Sequence, residues 1–173
     1  MSLFTAARLI ALPKKSGGIR PIAVGDTLRR LTAKCLLGVV NPSASTFLLP
    51  LQVGVQVPNA AERVARHVSL WARTRAEDEI ILQVDMRNVF NSIDMQEMLN
   101  EVKSRTPLLY PYAAACYQSP SVPFGEGFEV NSPQEVQQVD VCGPLLFSVT
   151  LHRLVLLLSS WVYHFSTGTW MMG

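Results

Sequence analysis

The amino-acid sequence predicts an α+β fold in which helices alternate irregularly with antiparallel hairpins. Residues 9–13 and 19–24 are short apolar runs separated by Lys14-Lys15-Ser16-Gly17-Gly18, a turn-forming segment that is typical of a β-hairpin. Further along, apolar residues recur at helical spacing after Asp and Asn residues that can cap a helix. This irregular order favours an α+β arrangement over a doubly wound parallel sheet.

The first predicted helix begins after Asp26, which can cap it, and reaches about residue 40. Asn41-Pro42 is predicted to end this helix, because the residue before a proline disfavours helical geometry. One face of the helix carries the apolar residues that we expect to be buried, namely Leu28, Leu31, Cys35, Leu36 and Val39.

Two capping boxes predict the next helices. Asn59 with Glu62 opens a helix through about residue 75, and Asp94 with Glu97 opens another to about residue 105. A further helical stretch, residues 108–118, follows Pro107. The apolar stripe of the helix after Asn59 is expected to consist of Val64, Val68 and Trp71.

Three further segments have the composition of strands. Residues 80–82 form an apolar run that predicts a buried strand with Asp85 at its end. Residues 122–124 and 128–130 flank a Gly-Glu-Gly turn and predict a second hairpin. The last residues, 161–173, predict two strands joined at residues 166–168.

A long apolar segment, residues 145–165, raises the question of a membrane span. His152 and Arg153 fall near its middle, where a charged side chain costs about 2.5–3.5 kcal/mol in a membrane. Gly143 and Pro144 precede the segment as at the start of a helix. A core helix is therefore the better interpretation, and no membrane is expected as a partner.

Length and composition indicate one domain, or part of a larger one. The chain has 173 residues, of which 49% are hydrophobic and only 16% charged. The charged share lies below the roughly 25% of typical soluble domains, which suggests the loss of a neighbouring domain that once covered part of the surface. The three cysteines, which have no paired spacing, and the absence of a signal peptide predict an intracellular protein, in nucleus or cytoplasm, that is not secreted.

Positive charge is concentrated at the start of the chain. The net charge of the whole chain is +2, but residues 1–40 carry seven basic side chains against one acid. Such a segment favours an anionic partner such as a triphosphate or a nucleic acid. A solvated charged surface without a ligand remains the alternative. The basic residues are Arg8, Lys14, Lys15, Arg20, Arg29, Arg30 and Lys34.

Four segments, in this order, resemble the fingers and palm of a reverse transcriptase of the retroelement (retrotransposon) type. They are KKSGGIRPIAV at residues 14–24, VDMRNVFNSID at 84–94, VQQVDVCGPLLF at 136–147 and HFSTGTWMMG at 164–173. The resemblance implies a right-hand polymerase fold with fingers at residues 1–79 and a palm at 80–173. It implies an antiparallel palm sheet backed by helices, and no thumb is expected within this chain.

The resemblance also implies roles for individual residues. Asp85 matches the family's first catalytic aspartate, which holds Mg²⁺ for two-metal nucleotidyl transfer. Phe90 matches the aromatic residue that excludes a ribose 2′-hydroxyl. The implied partners are an RNA or DNA template-primer and deoxynucleotides. The residues implied to contact the incoming nucleotide are Lys14, Lys15, Arg20, Phe90 and Gln138.

Two departures from the family pattern argue against catalysis. Val139 stands where the family has a glycine after the second glutamine. Ser166 and Thr167 stand where the family has adjacent aspartates, and hydroxyls replace carboxylates poorly as Mg²⁺ ligands. Loss of a metal is expected to cost about a thousandfold or more in rate. The sequence therefore predicts a reverse-transcriptase-like fragment without polymerase activity.

Two alternatives remain open at the level of sequence. One is a non-catalytic nucleic-acid-binding remnant that uses the basic N-terminal segment. The other is a relic that folds poorly and has no molecular role. The three histidines, His67, His152 and His164, lack metal-ligand spacing and are interpreted as structural.

Overall fold

The computed structural model describes residues 7–13, 17, 19–81, 83, 93–118, 123–125, 128–129 and 140–161. In this part of the chain there are five helices and four strands. The helices are α1 (Thr27–Leu48), α2 (Ala60–Thr74), α3 (Met95–Arg105), α4 (Tyr110–Tyr117) and α5 (Gly143–Trp161). The strands are β1 (Ala7–Pro13), β2 (Ile19–Gly25), β3 (Pro123–Gly125) and β4 (Phe128–Glu129).

The predicted α+β fold, with an antiparallel palm sheet backed by helices, is wrong. The described part of the chain is mostly helical, and its core consists of side chains from α1, α3, α4 and α5 with a few loop residues. The strands have the order β2-β1-β3-β4, and β1 pairs with β3 in parallel at two residue pairs. No side chain described in these strands belongs to the core.

The apolar run at residues 80–82 is the clearest reason for this difference. The sequence predicts a buried strand there, but Ile80 and Ile81 lie outside any strand and are 84% and 55% exposed. An apolar run alone does not determine a strand, because a strand also needs a partner that satisfies its backbone groups. The strand that was predicted to lead to Asp85 is therefore missing among the described residues before it.

The N-terminal hairpin is present as predicted. β1 and β2 pair antiparallel over seven residue pairs, from Ala7 opposite Gly25 to Pro13 opposite Ile19. Gly17 has a φ of 84°, a left-handed conformation that glycine adopts without steric cost. Arg8, on β1, is exposed to solvent. The hairpin leads directly into α1, since only Asp26 separates β2 from that helix.

The start of α1 is confirmed and its predicted end is wrong. The Asp26 carboxylate accepts a hydrogen bond of 2.8 Å from the backbone N–H of Leu28, as an N-cap does. The helix nevertheless continues through Pro42, which lacks an N–H, and ends at Leu48. Burial of Ala44 and Leu48 beyond the proline offsets the lost hydrogen bond. Tertiary packing has overridden the local stop signal.

The face of α1 that the sequence predicts to be buried is exposed. Leu28, Leu31 and Val39 are 68%, 57% and 66% exposed, and Cys35 is exposed as well. We call these four residues the outer stripe of α1. Leu36, the fifth residue of that prediction, is partly buried against the core. The buried side of the helix carries Arg29, Ala33, Val40, Asn41, Ala44 and Leu48.

α3 and α5 form the main helix pair of the core. The Asp94 carboxylate accepts a hydrogen bond of 2.8 Å from the N–H of Glu97, which confirms the predicted cap of α3. The buried side chains of α3 join those of α5 in one apolar cluster, which α4 completes. The buried residues of α3 and α5 in this cluster are Met98, Leu99, Val102, Leu145, Leu146 and Val149.

α2 differs from the other helices because it has no buried residue. It begins at Ala60 as predicted, but Asn59 adopts a left-handed φ of 54° and its side chain makes no capping hydrogen bond. The predicted capping box is therefore wrong, although the predicted helix exists. Val68, in the predicted apolar stripe, is 38% exposed.

One helix in the described part of the chain, residues 143–160 of α5, is long and apolar enough to cross a membrane by length and composition. Its first half packs in the core, whereas four leucines in its second half, at positions 154, 156, 157 and 158, are between 42% and 52% exposed. The helix thus has a core-facing N-terminal half and a C-terminal half in which these leucines are partly exposed while Val155 is buried.

Candidate functional site

Most residues that the sequence assigns to nucleotide or metal binding lie outside the part of the chain that the structure describes. Arg20 is placed in β2, opposite Leu12 of β1. The role proposed for Arg20 stays a prediction, as do those of the positions that the structure does not describe. These positions are Lys14, Lys15, Asp85, Phe90, Gln138, Ser166 and Thr167.

A buried ion pair joins α1, which follows the first of the segments that carry the resemblance, to the third of those segments. Arg29 follows the basic hairpin in α1, and Asp140 lies in the segment that contains the two glutamines. The Arg29 Nη2 atom lies 2.8 Å from Asp140 Oδ2, and both side chains are only 2% exposed. These residues are 111 positions apart in the chain. The pair therefore fixes the first turn of α1 against the turn that precedes α5.

Asp140 is held by three hydrogen bonds. Besides Arg29, the hydroxyl of Tyr117 donates to Oδ2, and the backbone N–H of Cys142 donates to Oδ1 at 2.8 Å. Its backbone carbonyl accepts from the N–H of Gly143 at 2.9 Å, where α5 begins. Both carboxylate oxygens are thus engaged with protein donors in a site closed to water, which leaves Asp140 unsuited to bind Mg²⁺.

Arg29 is held from the side of α4. Its guanidinium carbon lies 5.1 Å from the centre of the Tyr117 ring, a cation–π distance. The hydroxyl of Tyr112 donates to the Arg29 backbone carbonyl at 3.2 Å. Within the described residues, the Nη1 atom is buried without a hydrogen-bond partner. We call Arg29, Tyr112, Tyr117 and Asp140 the Arg29 cluster.

Burial and neighbouring charges shift the pKa values of Arg29 and Tyr117 in this cluster. Burial alone lowers the pKa of Arg29, but the acidic groups around it, Tyr117, Cys116 and Asp140, outweigh burial and raise this pKa above its usual value. Burial, and then the charge of Asp140, raises the pKa of Tyr117, which remains a hydrogen-bond donor. The same two causes raise the pKa of Cys142 to about 12, so this thiol is not a nucleophile.

The sequence places Arg29 among the candidate contacts for a nucleic acid, but its burial removes it from the surface. Arg30 and Lys34, one helical turn apart on α1, are exposed. Neither side chain takes part in an ion pair within the described part of the chain. Together with Arg8 on β1, they form the described part of the candidate nucleic-acid interface.

Carboxylates that could hold a metal are not grouped in the described part of the chain. No set of three or more His, Cys, Asp or Glu residues there has the geometry of a metal site. The acidic residues of α3, Glu97 and Glu101, pair with Arg153 and Arg105. The positions at which the resemblance implies Mg²⁺, Asp85, Ser166 and Thr167, lie outside the described residues, so the Mg²⁺ site stays a prediction.

A second buried polar group surrounds His152 of α5. The Gln52 side-chain amide donates to the carbonyl of Ser148 at 3.0 Å and also lies 3.0 Å from His152 Nδ1. The ring of Phe47 meets the His152 imidazole edge-on, with ring centres 5.3 Å apart. Burial, reinforced by the charge of Arg105 and opposed by Glu101, lowers the pKa of His152.

This lowered pKa predicts acid sensitivity. The unfolded chain binds a proton at His152 near pH 6.5, whereas the folded chain binds it only at lower pH. The contribution of His152 to the stability of the folded state is therefore complete above about pH 6.5 and falls as the pH drops toward the folded pKa. We expect the melting temperature of His152→Leu to depend less on pH between 7.5 and 5.5 than that of the unaltered chain.

The matched control for this experiment is His67→Leu. His67 lies on α2 and is exposed, so its replacement should leave the pH dependence of the melting temperature unchanged. Thermal unfolding followed by circular dichroism at several pH values measures both variants. Equal pH dependence in His152→Leu and the unaltered chain would show that other groups control the acid sensitivity.

No protein-family model matches the chain, and no curated protein matches it either.

Sequence reasoning missed the Arg29 cluster, although the sequence contains a signal for it. Asp140 is the only charged residue between Gln138 and His152, and it lies between two valines. An isolated acid in an apolar segment indicates a buried carboxylate that needs a cation. On α1, Ala33, Val40 and Leu48 mark a second apolar face, and Arg29 lies on that face.

Proposed function

We propose that this protein is related to retroelement reverse transcriptases, binds nucleic acid through its basic N-terminal segment and does not synthesise DNA. The four ordered sequence segments support the relationship. The Arg29–Asp140 ion pair adds support, because it joins the helix that directly follows the first of these segments to the third segment. The replacement of the family's aspartate pair by Ser166 and Thr167 supports the loss of catalysis.

The observation that carries the binding proposal is the exposed basic surface at the start of α1. Arg30 and Lys34 project from neighbouring turns, close to the hairpin that carries Arg8. Exposed cations without acidic partners are free to replace the counterions of a phosphate backbone, which is the main source of sequence-independent affinity. The segment contains one acid, Asp26, and this side chain caps α1.

Binding of single-stranded RNA measured against salt concentration tests this proposal. Each phosphate contact contributes about 0.7 to the slope of log affinity against log salt on a single strand. The double variant Arg30→Gln/Lys34→Gln should therefore lower the magnitude of the slope by about 1.4 and weaken binding at low salt. Fluorescence anisotropy with a labelled oligonucleotide measures both quantities.

The control removes the same charge elsewhere. Arg63 and Arg73 on α2 are exposed, so Arg63→Gln/Arg73→Gln has the same net charge as the test variant. We expect this control to keep the slope of the unaltered chain. Binding that ignores salt, or that weakens equally in both double variants, contradicts the proposed interface. Arg29 is not suitable for this test, because its replacement disturbs the core.

The absence of catalysis is tested separately by primer extension. The assay contains an RNA template, Mg²⁺ and all four deoxynucleotides. We expect the chain and its Asp85→Ala variant to give the same background signal, because Ser166 and Thr167 replace the carboxylates that would bind metal together with Asp85. The protein must first show a cooperative unfolding transition, so that inactivity is not confused with misfolding. Extension that disappears in Asp85→Ala would establish polymerase activity and overturn this part of the proposal.

A further inference from the structure

Two sides of α1 carry apolar residues that could pack in the core. The outer stripe contains two leucines, a valine and a cysteine, whereas the buried side contains two alanines, a valine, a leucine, an asparagine and the charged Arg29. Hydrophobic burial alone favours turning the outer stripe inward, as the sequence pattern predicts. The observed orientation leaves Leu28, Leu31 and Val39 more than half exposed. Something other than apolar area determines which side of α1 faces the core.

The Arg29 cluster is the feature that distinguishes the two orientations. Only with Arg29 turned inward can its guanidinium reach Asp140 at 2.8 Å and stack at 5.1 Å over Tyr117. Asp140 is itself fixed by Tyr117 and by the N–H of Cys142 at the start of α5. These contacts have defined directions, whereas apolar contacts tolerate rotation, so the pair can specify one arrangement without adding much stability.

We propose that Arg29 and Asp140 are positioning residues whose ion pair sets the rotation of α1 about its axis. The pair thereby keeps the outer stripe exposed beside Arg30 and Lys34. When the pair is absent, α1 turns its outer stripe toward the core. The rotation of α1 set in this way does not depend on nucleic-acid binding.

Cys35 provides a direct measure of this rotation. It lies in the outer stripe and is exposed, whereas Cys116 and Cys142 are buried. Burial raises the pKa of both buried thiols, which slows their reaction further. A thiol-reactive dye should therefore label one cysteine of the folded chain quickly, and peptide mapping should identify it as Cys35. Slow labelling of all three thiols would contradict the observed orientation and the inference with it.

The test variant is Arg29→Met/Asp140→Asn. Methionine fills the arginine site with an apolar chain, and the asparagine oxygen can still accept from the N–H of Cys142 while its amide donates to Tyr117. We expect this variant to unfold cooperatively. Its Cys35 should react at about one tenth of the rate in the unaltered chain or more slowly still, because labelling then requires α1 to open locally. A merely stabilising pair predicts an unchanged labelling rate at temperatures well below the melting transition.

The matched control is Arg66→Met/Glu62→Gln, which removes an exposed ion pair of α2 and leaves the same net charge. Its Cys35 should react at the rate of the unaltered chain. If the test variant does not fold, Arg29→Lys is the second variant, since lysine keeps the charge but loses the planar fork and the stacking over Tyr117. Slower labelling in the folded variant supports the positioning role, and an unchanged rate overturns it.

Discussion

Replacing Arg29 with methionine is expected to lower the free energy of unfolding by about 3–5 kcal/mol. The substitution leaves the Asp140 carboxylate without its cation. This carboxylate is in the core, because the side chains of both Arg29 and Asp140 are only 2% exposed in the unaltered chain. An unpaired charge at such a site has lost its hydration and gains little in return. The remaining donors to Asp140, Tyr117 and the N–H of Cys142, are neutral and compensate only in part.

A double-mutant cycle separates this cost from the net contribution of the pair. Asp140→Asn alone leaves the Arg29 guanidinium buried without an anion, so we also expect a large loss of stability. The double variant removes both charges and should recover most of the loss, because two buried charges no longer need compensation. Urea denaturation of the four proteins gives the coupling free energy directly.

An exposed ion pair provides the reference for this cycle. Arg66 and Glu62 are separated by 2.7 Å, but their side chains are 79% and 58% exposed. Removing either partner is expected to change stability by about 0.5 kcal/mol or less. Equal losses for the buried and the exposed pair would show that Asp140 is accessible to water and that the Arg29 cluster is not a closed site.

The local chemistry of the sequence was sufficient to predict where several helices begin. Asp26 and Asp94 lie before apolar helical patterns, and each side chain accepts the expected hydrogen bond from its own helix. Capping depends on residues within one turn, so it can be identified without tertiary information. The N-terminal hairpin was equally local, since its two strands are joined by a short glycine-containing turn.

Features that depend on distant residues could not be predicted in this way. α1 passes through Pro42 because Ala44 and Leu48 are buried beyond it, a contribution that the local pattern does not contain. The choice of its buried face depends on Asp140, which is 111 residues away from Arg29. Ile80 and Ile81 have the composition of a buried strand, but no partner strand covers them in the described part of the chain.

In the candidate nucleic-acid interface, too, some features could be predicted from the sequence and others depend on packing. Sequence motifs identified a basic segment, and exposure of Arg30 and Lys34 agrees with a surface role for part of it. Arg29 belongs to the same run of basic residues, yet it lies in the core with Asp140. The charge composition of the segment does not distinguish a surface arginine from a buried one, because that difference arises only from the packing of α1.

The second large effect is expected at the helix pair formed by α3 and α5. Leu146 is completely buried in the core, whereas Leu157, on the same helix, is 52% exposed. We expect Leu146→Ala to lower the free energy of unfolding by about 2–5 kcal/mol, through lost apolar burial and the cavity left behind. Leu157→Ala should change it by about 0.5 kcal/mol or less, as surface substitutions do.

This comparison also distinguishes the two environments that the apolar composition of α5 permits. Both substitutions exchange leucine for alanine within one helix, so intrinsic helix propensity contributes equally to each. In a core helix the cost depends on burial against α3, and the two variants differ sharply. In a membrane-spanning helix both leucines would lie in apolar surroundings, and alanine would cost a similar amount at either position. Urea denaturation of the two variants in detergent-free buffer therefore decides the matter, and equal losses at both positions would contradict a core role for α5.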